Sequence, residues 1–251
     1  MQFLLGAVAL YDPGSATTRL VVEAQGVDAS WATVAGIEEF DGRDTLVVGV
    51  GVPEIVTVNV TVPADASAGA HTITLRAEDY HESAHVSTVA LELEVSQSHS
   101  FSLLLDSGPA TAAPGGEANW LVDLRNSGNG NDSATFTLEG LPAGWNVSFT
   151  PDNATLGAGE SAAIGLRVSV ASDATAGSHG FTLVAQGADA NASLPLELNV
   201  SSTRGVSLVM TDSASQAGRA GQTVFYRYTV TNTGNAADTI ELDASGLLAT
   251  Q

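Results

Sequence analysis

One short segment of the sequence has the residue types and the spacing of a zinc protease. His81-Glu82-Ser83-Ala84-His85 reads H-E-x-x-H, a motif in which two histidines bind zinc and the glutamate activates a metal-bound water. That chemistry needs both histidines on one face of a helix. The flanking residues alternate between polar and apolar side chains, which predicts a strand on either side. On extended backbone, positions i and i+4 lie roughly 13 Å apart, so we expect a solvated loop, with no metal bound by His81 and His85.

Two groups of oxygen-bearing side chains have the chemistry of calcium ligands. One group is Asn126, Asn129, Asn131 and Asp132, and the other is Glu38, Glu39, Asp41 and Asp44. Asn, Asp and Gly are also the residues that tight turns require, and neither group has the spacing of a recognised calcium loop. We therefore expect no cofactor, and calcium is the one ion that these turns would suit.

The acceptor sequence for N-linked glycans, Asn-x-Ser/Thr, occurs more often than the composition predicts. Of eleven asparagines, the six that begin such a sequence are Asn59, Asn131, Asn146, Asn153, Asn191 and Asn199. Random placement would give about two. Strand alternation places three of the six on outward faces and three in turns. They indicate a secreted glycoprotein; the alternative is a solvated β surface that is rich in Asn, Ser and Thr.

The remaining chemistry-bearing residues fit a core or a solvated face. Trp31, Trp120 and Trp145 could form a sugar-binding platform, but each is in phase with an apolar alternation, which predicts core packing. Glu92 and Glu94 alternate with leucines and are predicted to point outward. The sequence has no nucleophile elbow and no phosphate-binding glycine loop after a strand. We expect no catalytic residue and no enzyme activity.

Composition excludes several kinds of partner and site. The 251 residues carry a net charge of −20, and all eight basic residues are Arg. Such a surface repels phosphate, so we expect no nucleic-acid partner. Because Cys is absent, disulfides and thiolate metal sites are excluded. No apolar run reaches the roughly 18 residues of a membrane span. The acidic, Lys-free composition fits either a salt-adapted protein or a general acidic bias.

The elements that must position these residues repeat along the chain. Asn126-Ser127-Gly128-Asn129 recurs as Asn232-Thr233-Gly234-Asn235, 106 residues later. Residues 60–71 are echoed by residues 168–179 at an offset of 108. A period near 105 residues is too long for a solenoid and fits a string of small domains.

Three domains are predicted from this repetition. Residues 1–97 form a repeat that lacks its first strand and opens on its second, residues 98–202 form a complete repeat, and residues 203–251 form the N-terminal half of a third. We therefore expect a chain truncated from a longer array at both ends. The linkers Ser96–Ser100 and Ser201–Gly205 are short, which favours an extended arrangement.

Short runs of alternating apolar residues define the fold class. In the complete repeat they lie at 100–105, 117–125, 133–139, 145–149, 164–170, 181–185 and 196–200; in the third they lie at 206–210, 224–230 and 240–242. Glycine and proline turns separate them, as in half-buried strands. We predict an all-β protein of tandem immunoglobulin-like, seven-stranded β-sandwiches.

Three segments of the complete repeat resemble a known family. Residues 141–151, 156–161 and 170–177 are similar to the immunoglobulin-like repeats of prokaryotic surface proteins, and most of all to the NPCBM-associated domain first named beside alpha-galactosidases. The Asn-Ser/Thr-Gly-Asn turn also resembles CARDB-type adhesion repeats. The resemblance covers essentially the whole chain. It implies spacer, adhesion or accessory modules and supplies no catalytic residues.

These observations predict a non-catalytic, extracellular structural or adhesion repeat region, a spacer or stalk of a larger cell-surface or secreted glycoprotein. The alternative is an accessory module of an extracellular carbohydrate-active enzyme or protease. The partners expected are other domains of the same longer chain, together with surface proteins or glycans. We expect no direct membrane insertion within this segment.

Overall fold

The computed structural model describes residues 17–49 and 51–245, and these residues are almost entirely β. They form eighteen strands and one 3-10 turn, at Ala29–Trp31. The chain divides into two compact units. The first unit comprises Met1–His99 with Gly128–Gly130, and the second comprises Ser100–Ser127 with Asn131–Gln251. The second unit thus holds most of the complete repeat and the described part of the third.

Seven strands of the first unit are described. They are β1 (Thr17–Gln25), β2 (Ala32–Ala35), β3 (Glu38–Phe40), β4 (Arg43–Gly49), β5 (Thr57–Val60), β6 (Gly69–Asp79) and β7 (Val86–Val95). One sheet has the order β3-β4-β1-β6-β7, and β2 pairs with β5 in a second sheet. All of these pairings are antiparallel. The strand predicted at the start of the first repeat, residues 1–10, lies outside the described residues.

Period-2 alternation builds the core of the first unit. Inward residues of β1 and β6 such as Val22, Ile73 and Leu75 are at most 2% exposed. A tight turn at Asp41 and Gly42 joins β3 to β4, with φ of 52° and 72°. Both central residues of a type I′ hairpin turn need positive φ, which Asp-Gly tolerates.

The complete repeat contributes nine strands. They are β8 (Phe101–Ser107), β9 (Thr111–Ala112), β10 (Glu117–Asn126), β11 (Asp132–Glu139), β12 (Asn146–Thr150), β13 (Asn153–Leu156), β14 (Ser161–Ser169), β15 (Gly177–Gln186) and β16 (Asn191–Val200). Two sheets form, β12-β14-β10-β8 and β13-β11-β15-β16-β9. Only β16 with β9 is parallel among these described pairings.

The two sheets bury one core between them, which confirms the predicted immunoglobulin-like sandwich. Trp120, Ile164 and Leu166 of one sheet share this core with Leu183 and Leu198 of the other, each at most 4% exposed. All seven predicted strands are present, and β9 and β13 are short additions that the alternation did not predict. Inward and outward residues alternate along β10, β11, β14, β15 and β16, as a half-buried sheet requires.

The described part of the third repeat forms one strand pair. Strand β17 (Val206–Met210) pairs antiparallel with β18 (Tyr228–Asn232). Apolar side chains such as Leu208 and Val209 are more than half exposed. The strand predicted at 240–242 is wrong, because these residues are not in a strand. An isolated run has no neighbouring backbone to satisfy its N–H and C=O groups, and it does not become a strand on apolar pattern alone.

Candidate functional site

The H-E-x-x-H segment forms the loop between β6 and β7, and it is not helical. The loop is closed by the backbone of Asp79, whose N–H donates to the carbonyl of His85 at 3.0 Å. Nδ1 of His85 lies 3.5 Å from a carboxylate oxygen of Glu82, and both side chains are more than half exposed. The zinc motif needs two histidines stacked on a helix face, and this loop does not provide that face.

Asp79 gives the loop its shape. Its Oδ1 accepts hydrogen bonds from the backbone N–H groups of His81 and Glu82, at 2.8 and 3.2 Å, and its Oδ2 accepts from Thr18 Oγ1 at 3.0 Å. Burial acts to raise the pKa of Asp79, but the hydrogen bonds from His81, Thr18 and Glu82 outweigh it and lower that pKa. A carboxylate that accepts several N–H bonds is held in its charged form. The histidine–glutamate segment is therefore a capped turn.

The oxygen-rich turn near Asn126 is occupied by hydrogen bonds of the protein itself. Asn126 is fully buried, and its Nδ2 donates to the carbonyl of Leu156 at 3.0 Å. Asn129 belongs to the first unit, where its Oδ1 accepts from the backbone N–H of Ser98 at 2.7 Å. Asp132 Oδ1 accepts from the N–H of Ser133 at 2.8 Å. The side chains of Asn126, Asn129 and Asp132 thus hold the local backbone, which is the turn role that sequence reasoning left open.

The second oxygen-rich group lies on the β3–β4 hairpin. Asp41 Oδ2 accepts a hydrogen bond from the hydroxyl of Tyr80 at 2.9 Å, and this bond, followed by burial, raises the pKa of Tyr80. Glu38, Glu39 and Asp44 are exposed. Across residues 17–49 and 51–245, no three His, Asp or Glu side chains are grouped so that they could hold a metal ion. Calcium binding therefore gains no support here from geometry.

All six predicted glycan acceptors have exposed side chains. Asn59 lies in β5 and Asn199 in β16; Asn131 precedes β11, and Asn146, Asn153 and Asn191 are the first residues of β12, β13 and β16. Exposure is what an acceptor asparagine requires.

The tryptophans pack inside the units and do not form a sugar-binding platform. Trp120 is 4% and Trp145 7% exposed, and Trp31 is half-buried against the first core. Two of them have the same histidine neighbour in their repeats. Trp31 packs on His71 with ring centroids 4.6 Å apart, and Trp145 packs on His179 at 5.1 Å. The predicted core role of these residues is confirmed.

Each of these two histidines also supports the loop that precedes its strand. Nε2 of His71 lies 2.8 Å from the carbonyl oxygen of Ser67, and Nε2 of His179 lies 2.9 Å from that of Thr175. In the first unit, His71 Nδ1 also lies 3.0 Å from Asp28 Oδ2. The carbonyl of Ser67 and then the carboxylate of Asp28 raise the pKa of His71. With an acceptor at each ring nitrogen, the charged imidazolium satisfies both contacts.

A charged network on the outer face of the first unit was missed by sequence reasoning. Glu78 is 5% exposed and forms ion pairs with both Arg43 and Arg76. Arg76 also reaches Glu23, with 3.2 Å between Nη1 and Oε1. The hydrogen bond from Arg76, followed by that from Arg43, lowers the pKa of Glu78. Arg76 and Glu78 lie two residues apart on β6 and so share one face of the strand, and that alternation was the available signal.

The same face holds an arginine that contacts an aromatic ring. The guanidinium of Arg19 lies 4.0 Å from the ring centroid of Phe40, within the range of a cation–π contact. Its Nη1 donates to the hydroxyl of Thr45, fully buried, at 2.7 Å. Three of the eight arginines thus lie around the β3–β4 hairpin. The network has its charges paired and stabilises the hairpin; it presents no group for acid–base chemistry.

An open cleft of about 630 Å³ lies on the complete repeat. Its walls include Glu139, Phe181, Pro195, Leu196 and Glu197. Phe181 and Leu196 belong to the core, whereas the two glutamates are exposed. The cleft is open to solvent and is lined by both apolar and carboxylate side chains.

Comparison with known proteins identifies part of the complete repeat. Residues 122–187 match the NPCBM-associated, NEW3 domain of alpha-galactosidase. The resemblance seen in the sequence is confirmed for this stretch. It runs from β10 to β15 and includes Trp145, His179 and the strands β12, β13 and β14 between them. No match to a curated protein sequence is found.

Solved structures similar to this chain differ widely in kind. Domains 4 and 5 of the S-layer protein SbsC are 14% identical, with a TM-score of 0.32, covering 75% of this chain and 78% of that one. The protocadherin GammaB4 extracellular domain is 16% identical, with a TM-score of 0.41, covering 84% and 33%. The endo-fucoidan hydrolase MfFcnA4 of glycoside hydrolase family 107 is 13% identical, with a TM-score of 0.29, covering 86% and 37%.

At these TM-scores the solved structures support no argument about function. The fold class depends on the sandwich itself, and the family resemblance depends on the NPCBM-associated match. The described residues also contain no helix that is long and apolar enough to cross a membrane.

Proposed function

We propose that this chain belongs to an extracellular, non-catalytic repeat region that spaces or supports other domains of a larger cell-surface or secreted glycoprotein. One observation carries the proposal: the same unit is built twice, down to its local contacts. Trp31, His71 and Ser67 are arranged in the first unit as Trp145, His179 and Thr175 are in the second. Repeating one small domain in tandem adds length and surface to a protein without adding a new reaction.

Two further observations support this role. The NPCBM-associated match lies in the complete repeat, and its name describes a domain that accompanies other modules. All six glycan acceptor sequences have exposed asparagines, as a secreted glycoprotein requires. The net charge of −20 is suited to a solvated surface that resists self-association.

The decisive experiment is peptide mapping of the native protein by mass spectrometry, together with small-angle scattering of this chain. A spacer predicts further repeats beside residues 1 and 251 and an elongated scattering profile. A compact profile with no neighbouring repeats would contradict the spacer function.

Glycan attachment is tested separately by expression in a host with a secretory glycosylation pathway. Peptides containing Asn59, Asn146 or Asn199 are expected to carry glycan, and enzymatic release in oxygen-18 water should convert the acceptor asparagine to an aspartate that carries one heavy oxygen. Asn119 is exposed but begins no acceptor sequence, so its peptide is the matched control. Unmodified peptides at all six acceptors would remove the glycoprotein part of the proposal.

The second candidate is an accessory module of a carbohydrate-active enzyme. It is favoured by the alpha-galactosidase named in the matching domain and by the cleft between Glu139 and Glu197. This function predicts a catalytic domain in the native chain and binding of a glycan to the cleft. Titration with neutral oligosaccharides, repeated with Phe181 and Pro195 resonances assigned by NMR, would show whether the cleft is the binding surface. No shift at those residues would count against the accessory role.

A further inference from the structure

The last asparagine of the repeated Asn-Ser/Thr-Gly-Asn turn bonds to residues outside its own turn. In the second unit, Asn235 Nδ2 donates to the carbonyls of Ala174 and Ser201, at 3.1 and 3.0 Å. Its Oδ1 accepts from the backbone N–H of Thr203 at 2.7 Å, and its own carbonyl accepts from the N–H of Ala176 at 2.9 Å. Both amide hydrogens and the amide oxygen are therefore used.

These partners belong to two different segments. Ala174 and Ala176 lie in the loop before β15 of the complete repeat, which we name the clasp loop (residues 173–177). Ser201 and Thr203 lie in the linker that leads to the third repeat. Asn235 itself lies after β18, inside the third repeat. One side chain thus joins the end of one repeat, the linker, and a turn of the next repeat, which we name the clasp turn (residues 232–235).

The first unit contains the same set of bonds. Asn129 Nδ2 donates to the carbonyls of Ala66 and Ser96, at 3.2 and 3.1 Å. Its Oδ1 accepts from the N–H of Ser98 at 2.7 Å, and its carbonyl accepts from the N–H of Ala68 at 2.8 Å. Each partner occupies the position equivalent to its counterpart around Asn235. The clasp loop of this unit is residues 65–69, and Asn129 lies in the segment Gly128–Gly130 of the same unit. A chance contact would not recur bond for bond.

Close approach explains why the third residue of the clasp turn is glycine. A Cβ at Gly234 would lie 2.4 Å from the carbonyl oxygen of Thr203 and 3.2 Å from Cα of Arg204. Backbone atoms at those distances cannot move aside as a flexible side chain would. Glycine is the residue that permits a second backbone to come this close.

Each clasp loop also contacts a histidine of its own repeat. The carbonyl between its two clasp-bonded alanines, that of Ser67 or Thr175, faces Nε2 of His71 or His179. Those histidines pack on Trp31 and Trp145. The loop therefore has a fixed shape, since this carbonyl points to the histidine, while the carbonyl of the alanine before it and the N–H of the alanine after it face Asn129 or Asn235.

We propose that the clasp loop of the complete repeat and the following linker form a docking site for the clasp turn of the third repeat, so that these two repeats are joined head to tail through a single asparagine. Asparagine is required because its amide supplies two donors and an acceptor at the right length. Aspartate would place a carboxylate against two carbonyl oxygens, and serine would be too short. The inference goes beyond the proposed function, because spacers and accessory modules could both be joined in this way.

The absence of cysteine allows a direct test on the whole chain. Cysteines introduced at exposed Ser148 and Thr229 carry spin labels, and pulsed electron resonance measures the distance distribution between the complete repeat and the third. We expect a narrow distribution for the parent and a severalfold broader one for Asn235→Asp and for Gly234→Ala. Asn153→Asp, an exposed change of the same charge, is the matched control and is expected to leave the width unchanged.

A second measurement uses the unaltered protein. The N–H groups of Ala176 and Thr203 donate to Asn235, so their hydrogen exchange is expected to be slowed on the order of 100-fold relative to unprotected amides. The N–H groups of Ala68 and Ser98 should behave alike in the first unit. Unprotected exchange at Ala176 and Thr203, or an unchanged distance distribution in Asn235→Asp, would overturn the inference. Neither result would contradict the spacer function.

Discussion

The first unit and the complete repeat align equivalent strands in the same way but place different side chains on the outer face. Strand β1 sets Glu23 opposite Arg76 of β6, and at the equivalent positions β11 sets Thr137 opposite Val184 of β15. The first pair joins the ionic network around Glu78, whereas the second is a neutral β-branched pair. The inward residues and the clasp loop are thus similar in the two repeats, whereas the side chains on the outer face differ.

The tryptophan-histidine contact shows the same contrast on a smaller scale. Asp28 lies beside His71, but Pro142 occupies the equivalent position before Trp145. The structural equivalence is direct: the N–H of Trp31 donates to the carbonyl of Asp28 at 3.0 Å, and that of Trp145 donates to Pro142 at 3.2 Å. The shared backbone contact therefore leaves the side chain at this position free to differ, and in the first unit the carboxylate of Asp28 contributes to the raised pKa of His71.

The largest expected effect tests whether the two cores are equivalent. Leu75→Ala and Leu183→Ala remove matching side chains that are 2% and 0% exposed. Each should lower the free energy of unfolding by about 2–5 kcal/mol, because a buried leucine leaves a cavity. Calorimetry should show each change shifting only the transition of its own unit. Leu104→Ala, at a 69% exposed position, is the control. Equal shifts of one shared transition would mean that the two cores do not unfold independently.

The second prediction concerns the outer-face network. Glu78→Gln keeps the shape of the side chain but removes the charge between Arg43 and Arg76, so the melting temperature of the first unit should fall. Gln186→Glu makes the reverse change at the equivalent position of the complete repeat. It should not raise the melting temperature of that repeat, since no matching arginine pair is found beside it among the described residues.

The pH dependence sharpens this prediction. Because the pKa of Glu78 is lowered in the folded state, its stabilisation is present above the unfolded pKa and is lost as pH falls through the folded pKa. The difference in melting temperature between the parent and Glu78→Gln should therefore shrink in acid. A difference that stays constant down to acidic pH would mean that the network contributes packing alone.

The third prediction concerns His71. Its raised pKa arises from the carbonyl of Ser67 and the carboxylate of Asp28, with a smaller contribution from Glu94. Stability from this group is complete below the unfolded pKa and is lost as pH rises through the folded pKa. NMR titration should give a lower pKa for His71 in Asp28→Asn than in the parent protein. An unchanged titration of His71 would remove Asp28 as a cause.

The smallest effect is expected at the surface of the complete repeat. Arg167 and Glu117 form an ion pair with side chains 54% and 46% exposed. Arg167→Ala should therefore change the free energy of unfolding by less than about 1 kcal/mol in urea titrations, because water and salt screen such pairs. Arg43→Ala should cost more, since Glu78 is nearly buried. The reverse order would mean that burial does not set the strength of these pairs.

Much of the fold could be predicted because alternation is a local property. The seven strands of the complete repeat follow from which side chains are apolar, and the loop at His81–His85 follows from the strands beside it. The short strands β9 and β13 could not be predicted in this way, because two to four residues carry too little pattern. The strand expected at 240–242 failed because pattern gives no pairing partner.

The candidate sites also differ in whether the sequence could predict them. Exposure of the six acceptor asparagines follows from strand phase and turn composition, which the sequence contains. The ionic network around Glu78 could not be assembled from sequence, since its members lie 35 and 55 residues from Glu78 in the cases of Arg43 and Glu23. Only strand register places them side by side.

The sequence by itself determined that this protein repeats a β unit, that its inward and outward residues alternate, and that its asparagine turns recur at a fixed interval. Those properties depend on neighbouring residues and on periodicity. The tertiary structure decided what the recurring asparagine does, because its partners lie 32 and 61 residues away at Thr203 and Ala174. Hydrogen bonds act over about 3 Å, so distances along the chain of that size become contacts only after folding.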